Sequence, residues 1–261
     1  MNYDNFSQLL KQKGEELYRD MPWREDIRPY YVLVSELMLQ QTQVARVIPK
    51  FEAFIERFPD EKTLAEASLG DVLKLWQGLG YNRRAKFLHE AARQVVELNS
   101  FPDTFAELVK LPGVGKNTAG AILAYSFNKP SIFVETNIRT VYIHHFFADN
   151  FSVDDKEIIK LLEHTIDQEH PRKFYWALMD YGSWLKTNGV RNISSSKHYK
   201  KQSPLKGSLR EMRGKILKVL SDAPSTGLKQ FENDARFLRA LDGLKRDGLI
   251  EDNKGRIRLT K

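Results

Sequence analysis

Through most of the first 185 positions, apolar residues recur at three- and four-residue spacing. The stretch "NRRAKFLHEAARQVVEL" (82–98) repeats them in this way and predicts an amphipathic helix. "DEKTLAEASLGDVLKLWQGLG" (60–80) holds two further helix signals, each opening on an acid or small polar residue suited to an N-cap. Turn signals separate these runs: "GLGY" (78–81), "FPDT" (101–104), "LPGVG" (111–115) and "NKPS" (128–131). In "LPGVG" a helix is expected to end at Leu111, with Pro112 stopping it. Sustained alternation of apolar and polar residues is missing until the end of the chain, so the main domain is expected to be all-α. Beyond it, 208–222 reads as a helix. A further helix and a short hairpin follow, with "LIE" and "RIRL" flanking the turn "DNKG". Helix, connector, helix and two-stranded wing is the order of a winged-helix module. The expected boundaries are 1–204 for the helical domain and 205–261 for the module.

Composition narrows the class. The chain has 261 residues, 41% apolar and 29% charged, enough to bury a sizeable core. Nowhere does a window approach the roughly 18 apolar residues of a membrane span. The first residues, "MNYDNFSQLLKQKGEEL", carry acids and amides rather than an apolar signal core, which predicts a cytoplasmic protein, nucleoid-associated if prokaryotic. A net charge of +7 suits a polyanionic partner. The sequence contains no cysteine, which removes disulfides, thiolate nucleophiles and any cysteine-held zinc or iron–sulfur site. The segment 186–207, "KTNGVRNISSSKHYKKQSPLKG", holds six Lys or Arg and no acid; by composition alone it is equally a solvated linker or a basic contact surface.

Two short stretches carry chemistry. "ELMLQQTQV" (36–44) puts a carboxylate, Glu36, and a polar cluster, Gln40, Gln41 and Thr42, into an otherwise apolar helix. "ELVKLPGVGKNTAGAILAYSF" (107–127) brackets Val114 between Gly113 and Gly115 just before a second helix. The glycines permit a tight turn, and the free N–H groups of the following helix suit a phosphate, gripped without reading sequence.

With these in view, the chain resembles the helix-hairpin-helix DNA glycosylase superfamily. It looks most like adenine glycosylases of the MutY type, with endonuclease III a more distant relative. The resemblance covers about 1–185. It rests on "PWR" before "PYYVLVSELMLQQTQV", then "LWQGLGYNRRAKFLHEAA", "FPDTFAELVKLPGVGKNTAGAIL", "IFVETNIRTV" and "ALMDYGSWL", in that order. It implies a two-lobed, all-α glycosylase fold acting as a monomer on double-stranded DNA that contains a mispaired or damaged base.

The resemblance assigns roles. Glu36 would sit at the mouth of an interdomain cleft and protonate the departing base, since breaking an N-glycosidic bond needs a general acid and stabilisation of an oxocarbenium-like sugar. Gln40, Gln41 and Thr42 would enter the duplex as the base is extruded, with Tyr81 as the matching wedge. The family's second carboxylate is an Asp; here Glu135 holds that position, one methylene longer. Asn137 matches a polar site position of adenine-specific relatives. Asp180 in "MDYG" is another cleft candidate, more plausibly a structural ion pair. Bifunctional relatives place a Schiff-base lysine two residues after the second hairpin glycine. Here that residue is Asn117, while Lys116 comes one position early and would face phosphate or solvent. The implied enzyme is therefore monofunctional, with no strand-cleaving lyase step.

Most relatives follow this region with four cysteines holding an iron–sulfur cluster, and here the basic run stands instead, so no such cofactor is expected. Trp184, Ile193 and Tyr199 would pack in place of the cluster, with Lys197, Lys200 and Lys201 on DNA phosphates. No side chains signal a metal, although hairpin carbonyls in this superfamily can hold a monovalent cation. In the C-terminal module, Arg236, Arg239, Lys245 and the wing residues Lys254 and Arg256 are the candidate DNA contacts. Adenine-specific relatives usually carry a further domain that inspects 8-oxoguanine, for which the stretch after 185 is too short. Three readings follow: removal of adenine mispaired with 8-oxoguanine or guanine, removal of thymine or uracil opposite guanine, and a non-catalytic DNA-binding protein on the same scaffold.

Overall fold

The computed structural model describes residues 1–147, 152–222, 225–253 and 256–260. It divides into two compact units. The first comprises Met1–Val32, Asp103–Lys110 and Val114–Lys201; the second comprises Leu33–Pro102, Leu111–Gly113 and Gln202–Lys261. The last 60 residues thus cluster with 33–102, and the break falls at 201/202.

In the first unit, α1 (Tyr3–Glu16) starts where the Asn2 side chain accepts from the Asn5 amide. Trp23 and Arg24 are buried on the single-turn helix α2 (Pro22–Glu25). The helix α3 (Pro29–Leu39) begins in this unit and continues into the other. After the second unit's α4–α7 come α8 (Phe105–Leu108), α9 (Lys116–Tyr125), α10 (Thr136–Phe146), α11 (Asp155–Thr165) and α12 (Pro171–Thr187). A capping box between Asp154 and Glu157 opens α11. The core gathers Phe6 and Leu10 with Ile138, Tyr142, Ile158, Leu162, Tyr175 and Leu178. Each such buried side chain contributes about 1.5–3 kcal/mol relative to exposure. Helices α10 and α12 meet where Gly182 leaves no room for a side chain: a Cβ there would lie 2.5 Å from the Asn137 carbonyl oxygen.

The second unit holds α4 (Val44–Arg57), α5 (Glu61–Glu66), α6 (Leu69–Trp76) and α7 (Arg83–Leu98). Asp60 and Ser68 cap α5 and α6, the two starts expected from sequence. Val47, Phe51, Phe54, Phe58, Trp76 and Leu88 are buried together with Leu37 and Met38 from α3. The C-terminal residues add α13 (Leu209–Asp222), α14 (Phe237–Arg246), β1 (Ile250–Asn253) and β2 (Arg256–Leu259). The strands pair antiparallel with Ile250 opposite Leu259. These elements are docked on the rest of the unit: α13 packs on α6, and Lys86 on α7 donates to the Asp247 carbonyl at 3.0 Å.

Several expectations need correction. The helix before the "LPGVG" turn is a single turn that ends at Leu108, not at Leu111, and the chain passes through Val109 and Lys110 as turns. Pro112 disfavours helical backbone at the residue before it, and the chain has left the helix earlier still. Nor do Trp184, Ile193 and Tyr199 form a substitute core. Trp184 is 41% and Tyr199 46% exposed, and Ile193 is half-buried. Backbone and amide bonds hold this segment instead. Asn192 donates to the Thr140 carbonyl at 2.9 Å. Val153 donates to Ser195 O at 2.7 Å and accepts from the Lys197 amide at 2.9 Å, with Ser196 buried. Asp180, by contrast, forms the structural ion pair expected of it: Arg24 reaches both its oxygens at 2.7 and 2.9 Å and Arg19 adds a bond at 2.7 Å. Lys254 lies outside the described residues.

Candidate base-excision site

The candidate residues fall into two groups, one in each unit. In the second unit, Glu36 lies one turn before the end of α3, half-buried, with Ser35, Leu37 and Met38 buried around it. Beyond the helix end, Gln41 takes a left-handed conformation with φ of 55°. The "GLGY" turn runs beside it, with Gly78, Gly80 and Tyr81 at φ of 90°, 71° and 47°. A positive φ at a non-glycine residue is costly and persists only where its surroundings hold it.

What holds both segments is Arg84, the second residue of α7. Its guanidinium is buried and donates to the carbonyls of Leu37 at 2.6 Å, Met38 at 3.0 Å and Gln40 at 2.7 Å. On the other side it reaches the carbonyls of Leu79 at 3.1 Å and Gly80 at 2.9 Å, and Thr42 Oγ1 at 3.3 Å. One cation thus satisfies the open carbonyl end of α3 and the turn that presents Tyr81. Burial lowers its pKa to about 10, still far above neutrality. Sequence reading missed this residue, although a signal existed: Arg84, Ala85, Leu88, Ala91 and Ala92 form the buried face of α7, and an arginine in such a stripe requires partners.

Gly113 belongs to the same unit and has a φ of +77°, and a Cβ there would approach the Phe87 Cβ to 2.8 Å. Glycine is required there. Gly115 is different: its φ is −84° and nothing lies within 4 Å of its would-be Cβ. The turn does not need that glycine, and its bare face leaves the first amides of α9 accessible.

The first unit contributes Asn117, Glu135 and Asn137. Lys116 and Asn117 open α9 and are exposed, and Asn117 Nδ2 donates to the Val134 carbonyl at 2.8 Å. That bond sets Asn117 beside the strand-like lead-in to α10, whose N-cap is Glu135. The Glu135 side chain caps no amide. Burial pushes its carboxyl pKa up, and the charge of Arg139, itself paired with Asp155 at 2.7 Å, opposes the rise. Asn137 Nδ2 faces Met179 Sδ at 3.6 Å, while its buried Oδ1 lacks a protein partner. An unmet buried acceptor suits a hydroxyl donor or water. Lys197 is exposed, 3.7 Å from Asp154, and Lys200 and Lys201 are exposed.

A profile of the HhH-GPD superfamily of base excision DNA repair proteins matches residues 34–168, a span that includes Glu36, Tyr81, the glycine turn, Glu135 and Asn137. The chain belongs to that superfamily. Among its relatives, the adenine DNA glycosylase of Buchnera aphidicola (subspecies Baizongia pistaciae) is 42% identical over 183 residues, covering 67% of this chain and 51% of that protein. The adenine DNA glycosylase of Mycobacterium tuberculosis is 33% identical over 265 residues, covering 89% of this chain and 86% of that protein. The chain spans about half the length of that Buchnera relative and of a second one, 51% and 53%. Among solved structures, a thermostable thymine-DNA glycosylase matches with a TM-score of 0.62 at 25% identity, over 69% of this chain and 86% of that one. A trapped endonuclease III–DNA complex with an estranged adenine matches with a TM-score of 0.59 at 19% identity, over 78% and 91%. The superfamily's all-α fold is therefore present here, without the cysteines a cluster would need. Among the described residues no helix is long and apolar enough to cross a membrane, and no group of three or more His, Asp or Glu could hold a metal ion.

One further expectation fails. Arg236 is engaged within the C-terminal elements, by Asp234 and by Glu211 at 3.0 Å, so its guanidinium does not stand ready for phosphate. Both carboxylates are held at pKa values of about 2, Asp234 mainly by Arg236, and Glu211 by the Gly207 amide first and Arg236 next. Lys245 pairs with Asp252 at 2.9 Å, whereas Arg239 and Arg256 are exposed.

Proposed function

We propose that this chain is a monofunctional DNA glycosylase of base excision repair that hydrolyses the N-glycosidic bond of adenine mispaired with 8-oxoguanine or guanine. The observation that carries the reading is the 42% identity to an adenine DNA glycosylase, with a family match that takes in both candidate carboxylates. In this mechanism Glu36 gives its proton to the departing adenine. Glu135, as a carboxylate, stabilises the cationic sugar, and Asn137 Oδ1 accepts from the attacking water. Gln40, Gln41, Thr42 and Tyr81 fill the space left by the extruded base. The amides after Gly115, with Lys116, and the lysines 197, 200 and 201 bind phosphates. Asn117 forms no Schiff base, so strand cleavage is not part of the reaction. The protein acts as a monomer on duplex DNA without an iron–sulfur cluster, and 205–261 serve as a winged-helix-like accessory module.

The test is single-turnover base release from duplexes holding A opposite 8-oxoguanine, A opposite G, and T or U opposite G. Release of adenine from the first two is the expected outcome. The likeness to a thymine-DNA glycosylase at a TM-score of 0.62 favours a second reading, release of T or U opposite G. Release of only those bases would establish it, and release of none would leave a DNA-binding protein.

A further inference from the structure

An ion pair of the first unit adjoins Glu135 and has no assigned role. Arg139 stands one helical turn beyond Glu135, and its amide donates to the Glu135 carbonyl at 2.9 Å as α10 begins. Side chains four residues apart on a helix are neighbours. The Arg139 guanidinium is nonetheless held from another element: its Nε and Nη2 each donate to one carboxylate oxygen of Asp155 at 2.7 Å. Asp155 is the first residue of α11, whose start the Asp154–Glu157 capping box fixes, so the fork is clamped in place. The two side chains are only 16% and 20% exposed, and solvent screens their charges weakly. Burial drives the Glu135 carboxyl towards its neutral form, and Arg139 is the charge that opposes this.

We propose that Arg139 is a positioning residue for Glu135, keeping it in the carboxylate form that a sugar cation requires, and that Asp155 sets how much of the arginine's charge Glu135 feels. An arginine suits this task because it stays charged at any working pH. Left to itself, a guanidinium would close on the nearest carboxylate as a bidentate pair, and a Glu135 locked in such a pair would be lost to the sugar. Asp155 prevents that by occupying the paired face of the fork. Charged groups on the neighbouring elements are otherwise engaged or turned to solvent. Asp180 on α12 is held by Arg24 and Arg19. Asp154 accepts from the Lys156 amide and lies 3.7 Å from Lys197, and Lys116 on α9 is exposed. Tyr175 on α12 donates to the Ser131 carbonyl at 2.6 Å. His198 approaches Asp155 to 4.0 Å and calls for a control. The inference rests on the proposed glycosylase reading and deepens it.

The experiment follows ionisation of the Glu135 carboxyl by NMR titration of the glutamate side-chain carbons, with Glu135→Gln assigning the signal. Single-turnover base release is measured against pH in parallel. Arg139→Gln should move the Glu135 titration to higher pH and slow release by about tenfold on the acid limb, the size of effect a neighbouring charge exerts on a carboxyl. Asp155→Asn should move both to lower pH, because Arg139 then presents its charge to Glu135 without a competitor. Arg139→Lys keeps the charge and loses the fork, so its titration should stay closer to wild type than that of Arg139→Gln. In a His198→Gln background both shifts should keep their directions. A merely structural bridge would not give opposite shifts, since losing either partner would weaken the fold alike. Shifts in the same direction, or none, would overturn the proposal. So would a loss of rate that is equal at every pH and follows the melting temperature. If wild-type protein releases no base from the mispair panel while the opposite carboxyl shifts persist, the glycosylase reading is rejected and control of Glu135 by this pair stands. Base release with an unmoved Glu135 titration rejects this inference alone.

Discussion

At the scale of single residues, the two carboxylates make separable predictions. Glu36→Gln keeps the side-chain shape but cannot act as an acid. Base release should fall by at least about a hundredfold while duplex affinity stays within a few-fold. Turnover close to wild type would remove Glu36 from the reaction. Glu135→Ala should slow release by roughly 10²–10³-fold. Burial holds the Glu135 pKa above its ordinary 4.5, so the wild-type rate should climb with pH as this group ionises, along an acid limb above that value. The same raised pKa has a stability consequence. The folded state binds this proton more tightly than the unfolded chain, an advantage present below about 4.5 and lost as pH rises through the folded value. Glu135→Gln should therefore raise the melting temperature at neutral pH while removing activity; an unchanged or lower melting temperature would contradict the burial argument. Asn117 yields a third result. Borohydride should trap no stoichiometric enzyme–DNA adduct, and trapping that disappears in Lys116→Ala would reverse the monofunctional reading.

At the scale of elements, the two hairpin glycines should part company. Gly113→Ala places a Cβ 2.8 Å from that of Phe87 at a φ of +77°, and should cost about 1–3 kcal/mol in denaturant unfolding. Gly115→Ala meets open space at a φ of −84°, so stability should change little while affinity for all duplexes falls alike. If both variants lose stability equally, the turn geometry has been misread. Arg84 ties two elements rather than one. Arg84→Met strands buried carbonyls at the end of α3 and in the "GLGY" turn, and should destabilise by at least about 2 kcal/mol. Its signature should be faster proteolysis within 39–42 and 78–81, where the positive φ angles are no longer held. Wild-type protection of those segments would show that other contacts suffice.

Over the whole molecule, the expected and observed divisions of the chain lead to different experiments. A boundary at 204/205 invites removal of the last residues, but Met212, Ile216, Leu241 and Leu244 are buried and α13 packs on α6. Truncation would expose apolar surface of the second unit, so point substitutions are the sounder probe of the C-terminal elements. Acid stability should show two windows. His145, bonded to Tyr181 Oη at 3.0 Å, has its pKa lowered to about 4, chiefly by burial and then by His144. The unfolded chain takes up that proton first, so stability should fall as pH drops from 6.5 towards about 4. Glu211 and Asp234, with lowered values of about 2, contribute stability above the ordinary carboxylate range that is lost only as pH falls further. Melting temperature followed against pH, in wild type and His145→Gln, tests the first window; an identical slope in the two proteins would exclude His145.

Much of this protein was written in local patterns. Helical spacing, the Asp60 and Ser68 caps and the closing hairpin are effects of near neighbours; the caps stand where the chain predicts them, while the first strand of the hairpin runs on through Asp252 and Asn253 into the expected turn. The superfamily was legible because Glu36, the "GLGY" turn, the glycine hairpin and "VETNIR" keep their order along the chain. Tertiary structure decided what depends on partners far away in sequence. Asp180 became an ion-pair centre because Arg19 and Arg24, over 150 positions earlier, meet it in the fold. Arg236 was withdrawn from the DNA-contact set by Glu211, 25 positions away. Arg84 owes its role to carbonyls from two separate segments that no local spacing brings together. A charged side chain declares in sequence only that it needs a partner. Which partner it finds depends on burial and distance, and those exist only once the chain has folded.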